Sequence, residues 1–128
     1  MIAAKITDVP GASRSFLGGA VVYSDVLKTA FAQVPAGLIL QHGAVSAEVA
    51  EALANGIRTR TGATLGLGVT GIAGPSGATE TKPAGLVYIA LSDAQKTEVL
   101  EKNFRGDRQR VREWTTTQAL DLIRKRLM

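Results

Sequence analysis

Tyr23, Ser24 and Lys28 bring a phenol, a hydroxyl and an amine into one short stretch, with Ser24 and Lys28 four residues apart. If a helix starts at Ser24, those two side chains share one face of it. A lysine amine can take a proton where burial or cationic neighbours favour its neutral form, and a tyrosine hydroxyl can relay one. Taken alone, Ser24 is more commonly a helix cap and Lys28 a surface cation. His42 is the only histidine of the chain. Standing before Gly43, it reads better as a helix-end capping or dipole contact than as a catalytic base.

A second candidate is the stretch Val69-Thr70-Gly71-Ile72-Ala73-Gly74-Pro75-Ser76-Gly77. Ahead of it Leu65, Leu67 and Val69 alternate with Gly66 and Gly68, the period-two pattern of a buried strand. The intervening glycines let a helix press close against that face. Gly71, Gly74 and Gly77 then bare the loop, so that backbone N–H groups can converge on an anion. Strands leading into such loops are where open α/β sheets bind ligands. It is not a P-loop, because no Gly-Lys-Ser/Thr follows.

A third candidate is Arg105-Gly106-Asp107-Arg108. Asp107 has the chemistry of an N-cap, which puts Arg108 in a first helical turn. There a forked guanidinium and the positive end of a helix both suit phosphate. Lys82 is a candidate second phosphate contact. For both cations an ordinary solvated side chain is the plainer reading.

Composition narrows the classes. The chain has 128 residues, 45% hydrophobic and 20% charged, which predicts one folded domain rather than disorder. No apolar run is long enough to span a bilayer. No signal-peptide pattern opens the sequence, so the expected compartment is the cytoplasm. Cysteine is absent, which removes disulfides and thiolate chemistry. With one histidine, a multi-histidine metal site is excluded too. Net charge is +4, and the surplus gathers in Arg105, Arg108, Arg110, Arg112, Arg124, Lys125 and Arg126. Only 5% of residues are aromatic. The arginines are not interleaved with rings along the sequence, which disfavours nucleic acid as a partner.

The elements that must position these residues follow from pattern and punctuation. Met1 to Ile6 reads as an uncapped helix of barely two turns, below the length that holds without tertiary support. Asp8-Val9-Pro10-Gly11 is a turn. Phe16 to Tyr23 predicts a strand, with Gly18-Gly19 as a bulge or close approach. Ser24 caps a short helix to Phe31, and Pro35 starts a turn ending near His42-Gly43. Ser46 caps the clearest helix, with an apolar stripe of Val49, Leu53 and Ile57 and with Gly62 as its stop. Thr64 to Thr70 predicts a strand, and Leu86 to Leu91 with Thr97 to Phe104 a hairpin. Asp107 caps a long helix to about Leu127, with Val111, Trp114, Thr115, Ala119, Leu122 and Ile123 facing inward. Together these predict an α/β layered domain, a mixed sheet flanked by helices.

Taken in order, several segments resemble the C-terminal domain of the competence/damage-inducible protein CinA family. They are Ile6-Thr7-Asp8-Val9-Pro10-Gly11-Ala12-Ser13, Val22-Tyr23-Ser24 with Lys28, and His42-Gly43-Ala44-Val45-Ser46. Val69 to Pro75, Lys82-Pro83 and Gly106-Asp107-Arg108 complete the series. The resemblance implies a nicotinamide-nucleotide amidohydrolase, converting nicotinamide mononucleotide to nicotinic acid mononucleotide and ammonia without metal or cofactor. It implies that Lys28 activates a serine and Tyr23 assists proton transfer. Thr70, Gly71 and Gly74 would line the substrate pocket, and Arg108 would hold the phosphate. It also implies a homo-oligomer. The alternative classes are a non-catalytic nucleotide-binding remnant and, further off, a nucleic-acid-binding module.

One departure bears on activity. In the family the nucleophilic serine belongs to a Glu-Ser-Cys-Thr-Gly-Gly motif, directly before the segment that here begins at Met1. These 128 residues lack it, and the strand and helix that normally precede it are expected to be missing as well. Ser24 is not a substitute, since the family has a serine there beside its nucleophile. The expectation is therefore impaired turnover, and an exposed sheet edge that favours self-association.

Overall fold

The computed structural model describes all 128 residues. Helix α1 (Ile2–Thr7) and a 3-10 turn at Ala12–Arg14 lead through an irregular stretch to α2 (Asp25–Ala32). Then come α3 (Ala36–His42), α4 (Ala47–Thr61), β1 (Gly66–Gly71), β2 (Leu86–Ser92), β3 (Thr97–Asn103) and α5 (Arg108–Leu127). The three strands pair antiparallel in the order β1-β2-β3, with Gly68 opposite Ala90 and Ile89 opposite Leu100. This is the expected α/β layered class, with a sheet that is antiparallel throughout rather than mixed.

Strand alternation assigns each layer its residues. Val87, Ile89 and Leu91 point to one face and pack with Val111, Ala119 and Leu122 of α5. Ala90 points to the other and packs with Ala50 and Ala54 of α4. On that face β1 offers only Gly66 and Gly68 beneath the helix. A Cβ on Gly68 would strike the Ala50 carbonyl and lie 2.6 Å from the Ala54 nitrogen. The predicted close approach is thus realised as direct backbone contact between α4 and β1. Behind α4, Ala32, Val34 and Ile39 form a second small core with Val49 and Leu53.

Helix ends follow their caps. The Ser46 hydroxyl accepts from Val49 N at 3.2 Å, and Gly62, at φ 74°, ends α4. Asp107 Oδ1 accepts from Arg110 N at 2.9 Å and opens α5. At the far end of α5, Arg126 donates to Asp93 Oδ2 (2.6 Å) and Glu98 Oε1 (3.1 Å). Asp93 also accepts from the backbone of Lys96 and Gln95. Those two bonds first, and Arg126 after them, hold its carboxyl below the ordinary value.

Three expectations are corrected. Phe16 to Tyr23 is not a strand. Residues 17–23 make no backbone hydrogen bond to one another or to the sheet, and Gly18-Gly19 is not a bulge. Strand preference expresses fit to a half-buried pleated surface, and here Leu17 and Val21 stay 66% and 86% exposed. Pro35 does not begin a turn that runs to His42. It is the N-cap of α3, where its fixed φ of −60° fits and its missing N–H costs nothing. Trp114 does not face inward; it is 43% exposed, because the inner stripe of α5 already meets the sheet through smaller residues.

Tyr88, on the α4 face of β2, donates its hydroxyl to Glu101 Oε1 at 2.7 Å. That bond first, then burial and the negative field of Glu101 and Glu48, push its phenol from 10.0 up to about 12. The fold therefore favours the protonated ring. Its contribution is complete below pH 10 and is lost as pH rises from there to about 12. Spectrophotometric titration is expected to show one tyrosine ionising near pH 12 that disappears in Tyr88→Phe. Ionisation of Tyr88 near pH 10 in the folded protein would contradict the bond.

Candidate functional site

The glycine loop leaves β1 at Gly71 and is laced at its base. Ile72 N donates to Leu86 O (2.9 Å), Gly85 N to Ile72 O (2.6 Å) and Phe104 N to Gly85 O (2.9 Å). Its tip is different, for the N–H groups of Ala73, Gly74, Ser76 and Gly77 meet no protein acceptor. Gly74 has φ 82° and the Gly74–Pro75 peptide is cis. A loop anchored at its base with free donors at its tip is what an anion cradle requires.

Arg108 joins that loop to the rest of the site. From the first turn of α5 its Nη1 donates to the Gly74 carbonyl at 3.0 Å, and its Nη2 donates to the Tyr23 hydroxyl at 3.1 Å. Three segments distant in sequence meet on this one guanidinium. It pairs with no carboxylate, whereas Arg124 and Lys125 of the same helix share one and Arg126 has two. Arg108 thus keeps an uncompensated charge and spare donors. Asp107 already caps the end of α5, so the guanidinium and the loop, rather than the helix dipole, are what an anion would meet.

Lys28 lies one step further in. It is 8% exposed, its Nζ donating to the Tyr23 carbonyl at 3.3 Å and standing 3.7 Å from Asp25 Oδ1. Its burial departs from the plain reading of a surface cation. Ser24 is the cap it was expected to be, its Oγ accepting from Leu27 N at 3.2 Å. Tyr23 is 79% exposed, which leaves its ring open to a ligand beside Arg108.

Thr70 is buried at the end of β1, its Oγ1 donating to the Ala44 carbonyl at 2.7 Å. It therefore ties the sheet to the turn before α4. Gly71 adjoins it, and a Cβ there would lie 2.8 Å from Val87 Cγ2. The Lys82 Nζ donates to the His42 carbonyl at 2.7 Å and lies over Gly43. That bond serves the C-terminal end of α3, and the amine pairs with no carboxylate. His42 Nδ1 lies 3.7 Å from Glu48 Oε2, outside this group of residues.

Two concavities lie elsewhere. One of about 320 Å3 is lined by Pro35, Leu38, Glu48, Glu51, Ala52 and Asn55, and one of about 340 Å3 by Phe104, Trp114, Thr117 and Gln118. Neither contains Tyr23, Lys28, Gly74 or Arg108. Convergent polar groups with an unpaired charge are the better guide to chemistry.

The family model described as the CinA C-terminal domain matches residues 1–127. A CinA-like protein of Acidobacterium capsulatum is 58% identical over the whole chain, and one of Koribacter versatilis 53% identical. The chain spans 31% of the length of each. A crystal structure of competence/damage inducible protein CihA from Agrobacterium tumefaciens superposes with a TM-score of 0.93 at 31% identity, covering 95% of this chain and 75% of that one. The competence damage-inducible protein A from Klebsiella pneumoniae gives 0.94 at 30% identity, covering 98% and 78%. No helix is long and apolar enough to cross a membrane. From residue 1 to residue 127, this chain belongs to the CinA C-terminal domain family.

Proposed function

We propose that this domain binds nicotinamide mononucleotide and serves hydrolysis of its carboxamide. The observation that carries the reading is the joint hold of Arg108 on Gly74 and Tyr23, beside a glycine loop whose tip donors are unused. The phosphate is taken by Arg108 and the N–H groups of Ala73 and Gly74. The pyridine ring lies by Tyr23, with Thr70 and Gly71 below. Lys28, nearly buried behind Tyr23, handles the proton of an attacking hydroxyl, and Tyr23 passes a proton toward the departing ammonia.

The chain has no cysteine, hence no Glu-Ser-Cys-Thr-Gly-Gly motif, and Ser24 is spent as a cap. The 128 residues alone are therefore proposed to bind the nucleotide while turning it over slowly, by three or more orders of magnitude, as is typical when a nucleophile is removed. This joins the amidohydrolase reading to the nucleotide-binding one. Calorimetric titration with nicotinamide mononucleotide is expected to show saturable binding, with ammonia release near background. Inert titration would remove the nucleotide reading. Turnover that vanished in Ser24→Ala would overturn the cap assignment.

A further inference from the structure

One flank of α5 carries chemistry that the nucleotide site does not use. Arg110, Trp114, Thr117 and Gln118 are spaced three or four residues apart, so they form one stripe. Phe104, just beyond β3, closes that stripe into the groove of about 340 Å3. The Trp114 ring meets Phe104 at 5.8 Å and 68°, and the Arg110 guanidinium lies 5.6 Å over it. The Arg110 stem runs across Gly106, where a Cβ would come within 2.8 Å of its Cδ. Arg110 is thus held at the mouth of the groove.

Nothing in the protein answers this charge. Neither Arg110 nor the neighbouring Arg105 pairs with a carboxylate, in contrast to Arg124, Lys125 and Arg126 further along the helix. The Trp114 indole N–H and the Gln118 amide make no hydrogen bond either. A half-exposed tryptophan beside a fixed, unpaired arginine is the composition of a binding hot spot.

We propose that this flank docks an acidic peptide segment of a partner protein. An apolar side chain of the peptide settles in the groove along Phe104, Trp114 and Thr117, and a carboxylate pairs with Arg110. The Trp114 N–H and the Gln118 amide are left for peptide carbonyls. Charge complementarity selects an anionic partner, since the chain carries +4 overall. Nucleic acid is also anionic, but stacked bases need open ring faces. Here Arg110 lies on Trp114 and Phe104 stands steeply across from it.

Trp114 is the sole tryptophan, so its fluorescence reports this groove alone. Titrating the full chain with acetyl-Glu-Asp-Leu-Phe-Glu-Asp-amide is expected to give a saturable change that weakens with salt. Arg110→Gln is expected to weaken binding about tenfold, and Arg124→Gln to leave it unchanged. Gln118→Glu, which sets a carboxylate in the groove, is expected to weaken it as well and stands in if Arg110→Gln melts early. No Trp114 response to the peptide would overturn the proposal. So would an equal response when lysine replaces its acidic residues, or tighter binding of oligothymidylate.

Discussion

Arg108→Ala is expected to weaken nicotinamide mononucleotide binding roughly thirtyfold, from the loss of about 2 kcal/mol of charge-assisted hydrogen bonding to phosphate. The same substitution is expected to leave binding of nicotinamide riboside, which lacks the phosphate, nearly unchanged. That contrast matters because Arg108 also bonds Gly74 and Tyr23, so its loss could loosen the loop as well as remove a ligand contact. A loosened loop would harm both ligands alike. Arg108→Lys keeps the charge without the fork and should fall between wild type and Ala. Calorimetry on both ligands decides the matter, and equal losses for the two would remove Arg108 from the phosphate.

Gly68→Ala is expected to destabilise the fold by about 3 kcal/mol, a fall of roughly 10 °C in Tm. The added methyl has nowhere to go. It would strike the Ala50 carbonyl and lie 2.6 Å from Ala54 N and 2.8 Å from Leu53 Cβ, and two of those three are helix backbone. To admit it, α4 must lift from the sheet, which loosens Ala50, Ala54 and Ala90 together. Gly37→Ala, in α3, is the matched control, because its Cβ would meet nothing within 4 Å. There the helix preference of alanine is expected to add about 0.5–1 kcal/mol. Chemical denaturation of the two variants measures both, and equal effects would mean that α4 does not rest on β1 backbone.

What could be read from the residues in advance was what local physics decides. α4 and α5 were legible because Ser46, Gly62 and Asp107 mark their ends, and the β2–β3 hairpin because the apolar run Leu86 to Leu91 stops at a polar turn before a second strand-like segment. Gly66 and Gly68 announced a close approach, and α4 makes it. Phe16 to Tyr23 misled because β-branched and aromatic residues state only what a strand would contain, whereas pairing needs a neighbour elsewhere in the chain. Pro35 misled because proline serves turns and helix starts equally well. The site was legible as a set of parts. That one guanidinium joins Gly74 to Tyr23 is a three-dimensional fact with no local signal. Lys82 illustrates the same gap, since nothing local announces that its amine reaches the His42 carbonyl.

The absence of backbone pairing from Leu17 to Tyr23 has a mechanical consequence. The glycine loop is stitched to β2 by Ile72 and Gly85, so it travels with the sheet as one stiff piece. The first sixteen residues are joined to it by a segment without backbone pairing, and α1 touches the body chiefly through Ile2 and α5. α1 therefore has no hydrogen-bonded backbone path to the phenol. A tug on the sheet arrives at Gly74, and through Arg108 at Tyr23, almost undiminished.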